Sequence, residues 1–242
     1  MPTPPPHPRP PSPHRTRRSD VPTPTWDNLD PAKRRRVLDA AMREFGTHGF
    51  SAGSLNVVAR DAGVAKGSLF QYFTDKLELF GFVCEVVSHE IRDTLVSTMG
   101  EELGADPEFF DTVEWLLREW FSYFATHELE RGVTAATNLE IDPEVRTAVR
   151  HVVNRHYREV LLPLMERASA RGDFAPGADL DTLAGYLLLL FPHCAIAPWV
   201  PAVDPVHGLF GLALPELHAL VPRILGPLRA AFSVRAENRV IA

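Results

Sequence analysis

Four polar side chains within seven residues, Lys66, Ser68, Gln71 and Tyr72, carry the groups that meet a nucleic-acid surface. A glutamine amide matches the paired donor and acceptor on an adenine edge, so Gln71 is the first candidate for base readout. Lys66 suits guanine or phosphate, and the hydroxyls of Ser68 and Tyr72 suit phosphate. Tyr72 also reads as a core aromatic with its hydroxyl at the surface. Gly67 has no side chain and lets the backbone approach a ligand closely. This is recognition chemistry, in which no bond is made or broken. The chain carries no nucleophile elbow, Walker loop, dinucleotide fingerprint or zinc signature, which argues against an enzyme.

Two short helices must hold these groups. Leu55, Val58 and Ala59 sit at i, i+3, i+4 and give one apolar face. Ala62-Gly63-Val64 interrupts it, and Gly63 can take the left-handed conformation that ends a helix. Leu69 and Phe73 resume the apolar face at i, i+4, while the polar set projects elsewhere. Leu69, Phe70 and Phe73 read chiefly as packing. Residues 54–73 therefore predict a helix-turn-helix, whose second helix enters the major groove of DNA.

With its flanking helices this unit resembles the TetR family of transcriptional regulators (TetR/AcrR-like) from about Lys33 to Phe80. The resemblance rests on Arg36-Val37-Leu38-Asp39-Ala40-Ala41, Phe45-Gly46-Thr47-His48-Gly49-Phe50, residues 62–73, Asp75-Lys76 and Leu79-Phe80. It implies an all-α protein: a three-helix DNA-binding domain with a helix-turn-helix, then a larger helical ligand-binding and dimerisation domain. It places Ser68 and Tyr72 against phosphate and makes Lys76 a phosphate anchor. It further implies a homodimeric repressor on a palindromic operator in double-stranded DNA, released by a small, largely apolar effector. A ligand-independent regulator or activator is the alternative. Two positions depart from the family: Gly53 stands where Thr is usual, and Ala65 where Ser is frequent. Ser54 then becomes the candidate cap of the first helix of the pair and joins the DNA-facing set. The amides opening the second helix lack a side-chain acceptor and are free for phosphate.

Charge supports this division. Net charge is −6 overall, yet residues 1–77 carry +5 and residues 78–242 carry −11. The basic end can meet phosphate, and the acidic remainder keeps the rest of the molecule off it. Cys84 and Cys194 are too few for a disulfide scaffold or a cysteine zinc site, and His193-Cys194 lacks further ligands at a supporting spacing. No metal or cofactor is expected, and the cytoplasm is the expected location. No apolar run marks a secretory signal. Pro192, His193 and Pro198 cut Leu183–Val200 below the length of a membrane span.

Residues 1–29 are rich in Pro, Ser, Thr and Arg and predict a disordered tail, with Arg15, Arg17 and Arg18 either solvated or reaching DNA. Asp30-Pro31 opens the DNA-binding domain, 30–76, as cap and first residue of a helix that Gly49 ends. Val37, Leu38, Ala41 and Phe45 face inward there, and Lys33–Arg36 is either solvated or on phosphate. Thr74 is the expected cap of a long helix over 75–99 that leads into the regulatory domain, 77–233. Helices follow at about 107–126, 129–139, 143–171 with a kink at Pro163, 180–197, and 215–232 distorted by Pro222 and Pro227. A tail covers 234–242. Trp115, Trp120, Phe124, His156, Tyr157, Phe191 and His193 are the candidate lining of an apolar pocket, plain core packing being the other reading. The 180–197 helix is apolar on nearly every side and must be buried all round. Its Leu183, Leu187 and Leu190, with Leu217, Val221, Ile224 and Leu228 of the last helix, form the expected dimer interface, a four-helix bundle with the twin subunit.

Overall fold

Local signals along the chain translate directly into helices. The computed structural model describes residues 22–103 and 107–234, and among them ten helices and one antiparallel bridge, Phe174 to Ser233, are the regular structure. The all-α class is as expected. Arg15, Arg17 and Arg18 of the tail, and residues 235–242, lie outside the described residues.

The segment expected to be tail up to residue 29 is in part folded. Residues Pro24–Asp27 form α1, whose Trp26 is buried with its ring 5.1 Å from Phe73, 5.5 Å from Phe82 and 5.8 Å from Tyr72. One aromatic side chain buries enough surface to order a short segment that composition alone marks as soluble.

Helix α2 (Pro31–Ala52) starts as its cap predicts, with the Lys33 amide donating to Asp30 Oδ1 at 3.1 Å. Gly49, at φ 71°, breaks it, but one further turn follows before Gly53. Next come α3 (Leu55–Asp61) and α4 (Lys66–Tyr72). The cap of α5 (Lys76–Glu102) is Asp75 rather than Thr74. Asp75 Oδ1 accepts from the Glu78 amide at 2.8 Å, while the Glu78 carboxylate accepts from both the amide and the hydroxyl of Thr74.

The remaining helices are α6 (Phe109–Thr126), α7 (Glu128–Asn138), α8 (Pro143–Arg171), α9 (Leu180–Ile196) and α10 (Leu214–Phe232). Helix α8 stays helical through Pro163 and ends at Gly172, at φ 79°. Helices α5 and α8 pack side by side, α6 packs against α10 and α9, and α2 lies along α7. No helix of the described residues is long and apolar enough to cross a membrane.

The apposition of α2 and α7 joins the two halves of the molecule through bare backbone. A Cβ on Gly46 would stand 3.0 Å from Gly132 Cα and C, and one on Gly132 would stand 3.1 Å from Gly46 Cα. Gly46→Ala would gain about 1 kcal/mol of helix propensity but lose about 1–3 kcal/mol to overpacking between two helix backbones that cannot swing aside. The expected result is a net loss of up to about 2 kcal/mol, read as a lower thermal midpoint. A rise in the midpoint would show that the helices separate freely.

Most residues expected at the dimer interface face the protomer's own core. Leu183 and Leu187 are fully buried inside the protomer, as are Leu217, Val221 and, nearly so, Ile224, and Leu190 and Leu228 are half-buried. Helix α9 turns one apolar side to its own core and leaves Gly185, Tyr186 and Leu189 outside, Leu189 at 73% exposure. Periodicity cannot choose between the sides of a helix that is apolar on all of them.

Candidate nucleic-acid interface and the cavity behind it

The turn between α3 and α4 forms as the sequence dictates. Gly63 takes φ 66°, the Val64 amide donates back to the Ala59 carbonyl at 2.9 Å, and Leu69 and Phe73 go inward. Ala65 caps α4 without a side-chain acceptor, as its residue type requires. Lys66, Gly67, Phe70 and Gln71, at i, i+1, i+4, i+5, are exposed, and Ser68 is half-buried. Phe70, expected to pack, is 48% exposed beside Gln71. An aromatic ring there can contact a thymine methyl. Its signal in the sequence was its place one residue before Gln71, on the polar side.

Tyr72 is the opposite case. It is 3% exposed, beneath Trp26, so the core-aromatic reading describes its position and the phosphate role does not. The Thr23 hydroxyl donates to the Gln71 carbonyl at 2.6 Å and the Thr23 amide to the Tyr72 carbonyl at 3.1 Å. Those carbonyls end a helix and have no partner within it, so α1 fastens the exit of α4.

The Ser54 hydroxyl makes no capping bond, which corrects the capping expectation, and the Ser54 amide donates to Glu44 Oε1 at 2.8 Å. A Cβ on Gly53 would come within 2.8 Å of both the Gly49 carbonyl and the Phe45 ring, so the Thr of the resemblance could not stand here unchanged. Lys76 is half-buried. Its Nζ donates to the Ser51 carbonyl at 3.2 Å and lies 4.6 Å from the centre of the Phe50 ring, and burial lowers its pKa from the usual lysine value. One of three ammonium donors is thereby used, and two remain for a phosphate. Within the basic run, Arg35 pairs with Asp39 at 2.8 Å and reaches toward Glu90 of α5, and Arg36 Nε donates to the Ala62 carbonyl at 3.5 Å. These two arginines brace the domain as well as charge it.

Behind this unit lies a cavity of about 70 Å3 between α5, α6, α7, α8 and α9. Of the expected lining, Trp120, His156, Tyr157 and Phe191 are there. Trp115, Phe124 and His193 are not. The Trp115 indole donates to Glu102 at 2.9 Å and ties α6 to the end of α5, Phe124 is core against Trp120, and His193 lies off the cavity wall. The rest of the wall comes from Val87, Ile91 and Leu95 of α5, and from Val133, Thr134, Thr137 and Asn138 of α7, among others. The α5 stripe is legible as apolar spacing, but nothing in the sequence says that a void faces it.

His156 is buried where α8 meets α5. Its Nε2 is 3.1 Å from Glu85 Oε1 and its Nδ1 is 3.2 Å from Arg92 Nη1. Arginine can only donate, so Nδ1 accepts and Nε2–H donates to Glu85, which fixes a neutral ring. Desolvation lowers the His156 pKa, against the opposing pull of Glu85 and with Arg92 and Arg155 adding to the depression. Glu159 stands 3.7 Å from Nδ1 and the His89 ring 6.4 Å away. The folded state therefore holds fewer protons than the unfolded one just below the ordinary histidine pKa of about 6.5, so stability rises with pH there. Acidification from about pH 6.5 downward should lower the thermal midpoint by this route, and His156→Gln should flatten that part of the pH profile. Identical slopes in both proteins would remove His156 from the account.

Residues 37–81 match the family model described as bacterial regulatory proteins, tetR family. The HTH-type transcriptional regulator AcrR of Shigella flexneri is 38% identical over 102 residues, 42% of this chain and 42% of that one, so the chain spans about two fifths of that relative's length. A TetR family transcriptional regulator from Chloroflexus aurantiacus superposes with a TM-score of 0.61 at 23% identity, over 89% of this chain and 100% of that one. The regulator FadR from Bacillus subtilis, solved in complex with stearoyl-CoA, gives 0.64 at 17% identity over 81% and 98%. The family model falls on the helix-turn-helix whose geometry is described above, and the fold likeness carries on through the second half. Residues 37–81 therefore carry the DNA-binding unit of the tetR family of bacterial regulatory proteins, and the chain shares the fold of TetR family regulators along most of its length.

Proposed function

We propose that this protein is a homodimeric, sequence-specific DNA-binding repressor, released from a palindromic operator by a small, largely apolar effector. The observation that carries the proposal is the single exposed face of α4, Lys66, Gly67, Phe70 and Gln71, on a basic domain. Gln71 and Phe70 read base edges, Lys66 reads guanine or phosphate, and Ser68, Ser54 and Lys76 face the backbone. Two copies related by a two-fold axis read an inverted repeat. The apolar outer face of α9 around Leu189 is the surface offered for that pairing. The protein has no catalytic role in this reading and works in the cytoplasm.

The cavity supports the effector part. A volume of about 70 Å3 admits a few waters, so a ring-sized molecule must push its walls apart. Helix α5 continues directly from the helix-turn-helix, and α7 bears on α2 through Gly132 and Gly46. Moving either wall re-aims α4, which is a coupling between two sites through one two-state element. The small volume is also what favours the ligand-independent alternative.

The test is a mobility shift on the intergenic DNA beside the protein's own gene, across salt concentrations. A retarded complex tighter than that with random duplex, weakening steeply with salt, is expected. Equal affinity for both duplexes would overturn the proposal.

A further inference from the structure

The polar atoms around the cavity divide into two sets. The charged and strongly polar ones are already engaged with each other. Arg92 donates to His156, to Glu159 and, through Nε and Nη2, to Asp93 at 3.1 and 3.0 Å. His156 is held at both nitrogens. Asn138 accepts from Arg150 at 2.8 Å and donates to the Thr134 carbonyl at 2.9 Å. Thr137 donates to the Val133 carbonyl, and the Trp120 indole to the Phe191 carbonyl. The second set is the hydroxyls of Ser88 on α5, Thr134 on α7 and Tyr157 on α8. All three residues line the cavity, and none of the three hydroxyls has a hydrogen bond among the described residues. Burial also holds the Tyr157 phenol in its neutral form. Around them stand Val87, Ile91, Leu116, Trp120, Val160 and Phe191.

Resting on the reading of this cavity as an effector site, we propose that its ligand is an uncharged, ring-sized apolar molecule bearing one or two hydrogen-bonding groups, of the phenol or aromatic ketone class. A carboxylate would have to draw Arg92 away from Glu159, Asp93 and His156 and then lie beside two acids left with only Arg155 and His89. Breaking a satisfied network to bury a new charge is costly. An ammonium would compete with Arg92 and Arg155 for Glu85 and Glu159 in the same way. A neutral hydroxyl or carbonyl needs only the three unpartnered hydroxyls, which lose nothing by receiving it.

Three probes with one apolar body separate the classes: 4-ethylphenol, 4-ethylbenzoate and 4-ethylbenzylammonium, titrated by calorimetry into the full-length protein at pH 7. The phenol is expected to bind at least about tenfold tighter than either ion, and Tyr157→Phe or Ser88→Ala should weaken it by about 3- to 10-fold, the worth of one hydrogen bond. Val87→Phe, which fills the cavity, should abolish binding. Benzoate or ammonium binding as tightly as the phenol, but still blocked by Val87→Phe, overturns the ligand class and leaves the effector site standing. Binding of none of the probes, or binding that all three variants leave unchanged, overturns the effector site itself.

Discussion

Gln71→Ala is expected to lower operator affinity by at least about 30-fold. A bidentate amide–adenine pair discriminates by about 1–3 kcal/mol, and a two-fold dimer makes the contact twice, giving about 2–6 kcal/mol. The side chain is exposed on α4 and its backbone carbonyl is fixed by Thr23, so the substitution leaves the helix where it is. The loss should be confined to duplexes with the cognate base pair, while binding to random DNA and the salt slope stay as they were. Phe70→Ala should relax preference at a neighbouring thymine. Lys76→Ala should weaken every duplex alike and flatten the salt slope. Titrations of operator variants that show no base preference lost with Gln71 would move base readout to another residue.

Trp26→Ala carries the largest expected cost in stability. The ring is 3% exposed and stands against Tyr72, Phe73 and Phe82, so its removal should cost about 3–5 kcal/mol. For a chain of this size that corresponds to a fall in thermal midpoint of roughly 6–20 °C. DNA affinity should fall too, even well below the transition, because α1 ends α4 through Thr23. Leu183→Ala, buried far along the chain in α9, supplies a comparison that loosens the core without touching that end. Equal DNA affinities for the two variants at a temperature where both are folded would show that α1 does not hold the recognition helix.

The helix-turn-helix was legible because its rules are local. The spacing of Leu55, Val58 and Ala59, the left-handed Gly63 and the Asp30 cap each act within a few residues. What stayed hidden depends on distant partners. Trp26 sits in a stretch whose Pro and Thr content reads as tail, and only Tyr72, Phe73 and Phe82 make it core. Thr74 and Asp75 are both good caps, and Glu78 makes the choice by bonding back to Thr74. Helix α9 has apolar residues on every side, so Leu183 and Leu187 turning inward and Leu189 outward follows from the packing of α6 and α7, not from spacing. The cavity is a gap between five helices, and no single helix records it.

Selection of bound duplexes from a random DNA pool by the full-length protein at low salt tests the central claim most directly. The account predicts enrichment of one inverted repeat, with half-sites about one helical turn or a multiple apart and an adenine–thymine pair in each that Gln71→Ala no longer selects. A pool that emerges without sequence preference, or with a motif indifferent to every exposed residue of α4, would contradict it.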